Sequence, residues 1–543
     1  MLIAGAPLSS LPVSASPYDF SVPTTFSQFL QNIGSEHLIY LVEMSPIVRD
    51  TSGPTVDTKR YSIGSNVPDY DGALWEARLL EDPEIDTRVF SNEIIGGLNR
   101  PSFSPIELSN GDGELDALRD LEWYRRDVSV YLGGRNFDFS DFQLVVVGVV
   151  ESLRWTSGRI AFNLTDRLGA LNTPFQETLY AGTGGDEGGD DIKGTPKPRA
   201  LGSPKNVTPV LVERAENVFQ FNDRASNAVI DVFDQAVSIS PANSGANDIT
   251  DLGIADVRDW TPVAGQYITD LEKGLIRTGA EPAGTLTADV EGDLDGTIFL
   301  QSTADVVRWI VAGSPDAPLV DPDDLDAASF ADVNLRQGGD ISLYSVDAGV
   351  TIEQLAARLM AAAGGYLTVT QAGKLKVDIL RFKTPSNSIP FEDVIELERS
   401  DPPRAFWRRK LSYDKAWTVQ PQDDIDESAA TDARKNFVQQ EFRFETDEDL
   451  DVKEELLESR DGEAETFFDS SAVASAEATR QLNLLGTRRD LYNMRLRGWA
   501  WRLEAGQTIT VTHPDMRVTT GQDLIIGRVA ETGGGTTEVT CWG

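Results

Sequence analysis

The sequence predicts a mainly β, multidomain protein, and three observations carry that expectation. Runs of alternating apolar and polar residues, rich in β-branched and aromatic side chains, recur along most of the chain. The breaks between them, such as LGGRN, TSG, QAG and ETGGG, are short and turn-compatible, which joins neighbouring strands as antiparallel hairpins and meanders. A length of 543 residues also exceeds what one hydrophobic core usually serves.

Taken in order, the expected strands are HLIYLVEM (37–44), DVSVYL (127–132), FQLVVVGVV (142–150), RIAFNL (159–164), YLTVT (366–370), KLKVDIL (374–380), MRLRGWAWRL (494–503), QTITVTH (507–513), DLIIGRVA (523–530) and TEVTCW (537–542). Helices are few. GDGELDALRDLEWYRR sets Leu115, Leu118 and Leu121 at helical spacing, with Asp112 as N-cap. TADVVRWIVAG (303–313), TIEQLAARLMAAAGG (351–365) and SAVASAEATRQLNLLGTRRD (471–490) suit short amphipathic helices. Thr351 caps the one at 351–365, and Gly364 and Gly365 stop it before the hairpin YLTVTQAGKLKV, making 341–400 a small α/β unit. Stretches 180–206 and 312–327, rich in Pro, Gly and Asp, and the acidic tract 421–465 read as loops or linkers.

The sequence also echoes itself. LVVVGVVESLRWTSGRIAFN (144–163) and LIIGRVAETGGGTTEVTCW (524–542) both run strand, V-x-E step, Gly-containing turn and alternating strand, and each follows an alternating strand. Two copies of one β-barrel design would leave this trace.

Charge and cysteine content narrow the function. With 48 Lys+Arg against 87 Asp+Glu the net charge is -39, a field that repels nucleic acid and anionic membrane; solubility alone would also account for it. One cysteine, Cys541, excludes an intrachain disulfide. MLIAGAPLSSLPVSASP has no basic residue before its apolar stretch, so no signal peptide is expected. The longest apolar run, LVVVGVV, is too short to span a bilayer as a helix.

The motif search yields no catalytic, cofactor-binding or metal residues and no cofactor. YAGTGGDEGGDDIKGTPKPRALG (180–202) superficially offers a phosphate loop, but Gly194 follows Lys193, with Thr195 only beyond it. Pro196 and Pro198 forbid the helix that should follow, and Asp186, Glu187, Asp190 and Asp191 would repel phosphate. His37, His513 and Cys541 all lie in or beside strands, so a Cys541–His513 nucleophile is weighed against ordinary strand packing, which is preferred. Neither HExxH nor GxSxG occurs. Asn110, Asp112, Glu114 and Asp116, and separately Glu291, Asp293 and Asp295 with Gly296, resemble the start of a calcium loop. Both lack the closing bidentate Glu, the twelfth residues being Leu121 and Ser302, so Asx turns or caps are preferred. The basic patch Arg404, Arg408, Arg409 and Lys410, interleaved with Phe406 and Trp407, reads as a salt-bridged strand edge, with an acidic partner as the alternative.

HLIYLVEM, then IIGGLNRPSFSPIELSNGDGELDALRDLEWYRRDVSVYLGG, then LTDRLGALNTPFQETLYAGTGGDEGGDDIKGTPKPRALGSPKNVTPVLV, and the ending RGWAWRLEAGQTITVTHPDMRVTTGQDLIIGRVAETGGGTTEVTCWG stand in one order along the chain. That order of segments resembles the tail-tip (baseplate) hub proteins of siphophage-like tailed phages, prophages and gene-transfer particles. It implies two tube-type antiparallel β-barrel domains plus smaller β and α/β insert domains. The expected plan is an N-terminal extension at 1–34, a first barrel at 35–175, a connector with strands at 176–240, a β-rich insert at 241–340, the α/β domain at 341–400, and a second barrel with an acidic loop at 401–543. It further implies a homotrimer at the virion tail tip that meets the distal tail protein, tube, and tip or fibre proteins, and touches the host surface indirectly. DNA would pass through without specific binding, and no enzyme activity is expected. In this setting 180–206 is an extended surface connector. A receptor- or carbohydrate-binding tail protein and a tail-borne cell-wall hydrolase are the alternatives.

Overall fold

The computed structural model describes residues 26, 29, 38–50, 53–63, 74–89, 98–134, 137–243, 247–314, 317–401, 403–499, 501–516, 518–532 and 535–543. Most of the expected N-terminal extension, and His37, lie outside them.

Strands β1 (Leu38–Met44), β2 (Lys59–Ile63), β3 (Glu76–Leu79), β5 (Ile106–Ser109), β6 (Asp127–Gly134), β7 (Gln143–Thr156) and β8 (Arg159–Thr165) close a barrel in the order β1-β6-β7-β8-β5-β3-β2. Neighbours are antiparallel except β2 and β3. Alternation does the work: Val128, Val130, Leu132, Ile106, Leu108, Ile160 and Phe162 all point into one core. Strand β4 (Ile85–Arg88) leaves the barrel and is taken up below.

A second sheet uses β9 (Asn387–Ile389), β10 (Val394–Ser400), β11 (Leu491–Arg497), β12 (Thr508–Val511), β13 (Gln522–Glu531) and β14 (Thr536–Trp542) in the order β9-β12-β13-β14-β11-β10, a half-barrel. Its central four strands repeat β6-β7-β8-β5 residue for residue. Leu108 faces Ile160 as Leu496 faces Thr537, and Ile106 faces Phe162 as Met494 faces Val539. The bulge between Val150 and Ser152 recurs between Ile526 and Arg528, leaving Glu151 and Gly527 as the extra residues that twist each sheet and help it curl. Just before β6 and β12, Arg125 (φ 55) and Gly506 (φ +88) share a left-handed kink, and their N–H groups donate to the carbonyls of Val150 and Ile526. The echo seen in the sequence is therefore a structural repeat, but shifted: strand pairing sets Glu531 against Trp155, four residues from where the V-x-E match would put it.

Between the two barrels, an eight-stranded sheet runs from Val210–Glu213 to Ile298–Phe299, crossing the boundary expected at 241. Helices α1 (Thr303–Ala312), α2 (Ala327–Arg336) and α3 (Ile352–Ala362) share one core with the hairpin Gly365–Val369/Leu375–Ile379. Thr351 caps α3 in a reciprocal box with Gln354. Helix α4 (Ser471–Leu485) follows the acidic tract.

Four expectations are corrected. The helix expected from Asp112 is only a 3-10 turn, Asp116–Asp120, because Asn110 accepts the Leu115 N–H while Asp112 turns out to Arg78. The strand expected through 503 stops at Arg497, where Gly498 (φ 74) and then Trp501 (φ 60) turn the chain. The acidic tract 421–465 is no linker: it forms a helix, Asp432–Val438, and strands Arg443–Glu448 and Arg460–Ala464 that flank Phe406–Tyr413. Arg434 fastens it to Asp289 of the eight-stranded sheet (2.9 Å) and to Asn206, which precedes that sheet (2.6 Å).

Last, 180–206 is not an extended arm. Backbone bonds from Gly194 to Tyr180 and from Tyr180 to Thr195 close it into a loop, and Lys197 pairs with Glu187 at 2.7 Å over the buried Tyr180 ring. It then enters a fully buried strand, Arg199–Gly202, paired with Ser342–Ser345.

Candidate functional site

A polar site joins the two barrels. Strand β4, from the stretch between β3 and β5, leaves the first barrel and pairs antiparallel with β13, setting Arg88 opposite Arg528 and Ile85 opposite Glu531. Asp86 receives Arg528 at 2.9 Å and Arg88 at 2.9 Å; against the pull of burial, these two guanidinium groups hold its carboxyl below the usual range.

Traffic also runs the other way. The turn after β11 drives Trp501 out of the half-barrel and into the core of the first barrel, where its ring meets Tyr40 edge-on at 6.5 Å. Its indole N–H donates to the Tyr40 hydroxyl at 3.3 Å, and its backbone N–H donates to Glu531 Oε1 at 2.9 Å. The other carboxyl oxygen accepts from Thr537 at 2.9 Å. Glu531 is 2% exposed, and burial, with no cation among the described residues to oppose it, pushes its carboxyl up to about 8. A shift in this direction favours the uncharged acid, which spares the joint between the modules a buried charge. Burial likewise pushes the Tyr40 phenol up.

The other sequence candidates have structural partners. Cys541 is buried in β14 opposite Tyr492 and Ile526, and burial raises its thiol. His513 lies beyond the end of β12, where its Nδ1 accepts the Asp515 N–H and its ring meets Phe391 edge-on, so no thiolate–imidazole pair is assembled. Asp112 is bound to Arg78 at 2.9 Å. Asp293 is fully buried, accepting from Arg199 at 2.5 Å and Asn222 at 2.7 Å. Arg199 also lies 3.3 Å from Asp223 and between the rings of Phe175 and Trp309. This buried ionic node ties the 180–206 loop to the eight-stranded sheet and α1.

The basic patch becomes the central strand of the three-stranded sheet, not its edge. Arg408 pairs with Asp461, Lys410 with Glu463 at 3.0 Å, and Arg409 donates to Gln481 of α4 at 2.7 Å. Among the described residues no group of three or more His, Cys, Asp or Glu is arranged to hold a metal ion, and no helix is long and apolar enough to cross a membrane.

Sequence reading missed Glu531 and Trp501. The available signal was an acidic residue ending the otherwise apolar LIIGRVAE, and two tryptophans in GWAW where a strand was expected.

Among solved structures, the chain is similar to phage-type tail proteins. A tail protein from Neisseria meningitidis MC58 aligns over 93% of this chain and 96% of its own, at 9% identity and a TM-score of 0.38. The 43 kDa tail protein of prophage MuSo2 from Shewanella oneidensis aligns over 93% and 98%, at 10% identity and 0.35. A chain of the native gene transfer agent virion aligns over 64% and 84%, at 14% identity and 0.38. No family model and no curated protein matches. Scores this low mark a coarse likeness, so the internal repeat and its junction carry the functional reading.

Proposed function

We propose that the chain is a structural hub of a phage-like tail tip, continuing the tail-tube channel and joining it to the distal tip or receptor-binding apparatus for DNA delivery. The observation that carries this reading is the duplicated barrel. One chain holds two copies of the same strand-and-bulge register, joined edge to edge by β4 on β13. A protein that places two equivalent modules side by side lets three chains present six similar units, matching a six-fold tube while keeping a closed three-fold ring.

The acidity suits the same role. With a net charge of -39, a channel wall made by this chain would repel phosphate and let DNA slide without sticking. No catalytic step is assigned to the hub. Its partners would be two further copies of itself, the tube or distal tail protein above it, and tip or fibre proteins below it.

Purified particles test this reading. The chain should sit at the distal end of the tail in three copies; a lateral position, or six copies in one ring, would overturn it.

A further inference from the structure

We infer that the edge of β7 from Ser152 to Trp155 docks a strand from a second copy of this chain, supplied by that copy's 401–490 segment. The inference rests on the hub reading and assigns the surface through which the ring closes.

The two modules show the same edge in two states. In the half-barrel, β12 covers β13 as far as Ile525, and Gly506 and Gln507 add one more pair of backbone bonds at Ile526. From there the other module takes over: Val89 donates to the Gly527 carbonyl at 2.8 Å, and β4 covers Arg528–Glu531. In the first barrel, β6 covers β7 as far as Val149, and Arg125 and Arg126 add the same pair of bonds at Val150, at 2.8 and 2.9 Å.

Beyond Val150 that edge meets no partner among the described residues, although β8 holds the opposite edge to Thr156. Glu151, Ser152, Arg154 and Thr156 are exposed. An open edge on a regular hairpin is a template for another strand. Ser152–Trp155 stands at the register that β4 occupies on β13.

The repeat also indicates the donor. In the first module β4 comes from the stretch between β3 and β5; the matching stretch of the second module, between β10 and β11, is 401–490. Carrying the module-to-module step onward therefore brings a neighbour's 401–490 segment onto this edge. Charge agrees. The recipient edge carries Arg154, and Arg159 stands beside it on β8; their side chains are 70% and 57% exposed and share only Glu107. The donor segment offers the acidic edge strand Arg443–Glu448, whereas Asp461 and Glu463 of the other edge strand, Arg460–Ala464, are already paired with Arg408 and Lys410. The junction inside the chain uses the same chemistry, Arg528 on Asp86.

The test places a photo-crosslinking amino acid at the exposed Ser152 of the full chain and mixes isotope-labelled with unlabelled copies, both concentrated in solution and in assembled particles. Mixed-label crosslinks mapping to 401–490 are expected, and Arg154→Glu with Arg159→Glu should lower their yield about tenfold or more while leaving the melting temperature unchanged. A probe at the exposed Leu335 should give none of them. Crosslinks confined to one chain, to another part of the second copy, or to a different protein would overturn the inference, as would their absence. A three-copy ring with the Ser152 probe crosslinked elsewhere defeats this assignment alone, whereas a single copy per particle defeats the hub reading as well.

Discussion

Raising the pH should loosen the joint between the barrels, and Glu531→Gln should abolish that effect. The Glu531 carboxyl rises from 4.5 to about 8 on folding, chiefly through burial. The folded state therefore keeps a proton that the unfolded chain has already lost, so the contribution is fully present below about pH 4.5 and disappears as pH rises through about 8. At 1.36 kcal/mol per pH unit, the whole change is on the order of 4–5 kcal/mol, less whatever local opening relieves. Amide exchange in β4 and in Arg528–Glu531 reads the joint directly. After correction for intrinsic exchange, the wild-type chain should lose protection by up to about tenfold per pH unit between pH 5 and 8 relative to Glu531→Gln. Thr537 and the Trp501 N–H can both serve the amide, so the variant should keep its fold. Parallel pH profiles for the two proteins would refute the reasoning.

Other perturbations probe other joints. Trp501→Ala empties a large volume in the first barrel's core and should cost about 3–5 kcal/mol in chemical unfolding, with β4 losing protection alongside β1. A loss confined to the half-barrel would contradict the wedge. Arg199→Met strands Asp293 and Asp223 and should cost about 3–5 kcal/mol, partly recovered by adding Asp293→Asn; a neutral effect on the melting curve would show that the node is dispensable. The isolated chain should show no salt-sensitive affinity for duplex DNA in a titration at low ionic strength, and a steep salt dependence of measurable binding would remove the phosphate-repelling role.

Much of this architecture was legible because alternation is a local signal. VSVYL, RIAFNL and TEVTCW each carry their inward face in their own residues, and Thr351 announces its helix as the cap, to which the structure adds Gln354. The repeat was visible too, but in the wrong register, because a bulge leaves no composition signature and the matching V-x-E steps fall at different depths of the two sheets. Where the reading failed, distant pairing had decided the outcome. The tract 421–465 looked like a solvated linker because its acids outnumber its aromatics, yet Arg408 and Lys410 pair with its Asp461 and Glu463, and its own Arg434 reaches Asp289 of the eight-stranded sheet. Tyr180–Gly202 looked like an arm because Gly and Pro dominate it; the buried Tyr180 is met by Gln220, 40 positions away, and the buried Arg199 by Asp293, 94 positions away. The barrel junction needs Tyr40, Trp501 and Glu531 together, and nothing local links them.

Imaging the distal tail of intact particles, without imposed symmetry, tests the central claim most directly. Three copies of this chain should appear around the channel, each contributing two similar barrels so that six units alternate between a closed seven-stranded form and a half-barrel. Six copies in the ring, or three copies whose second sheet lies away from the channel, would contradict the account.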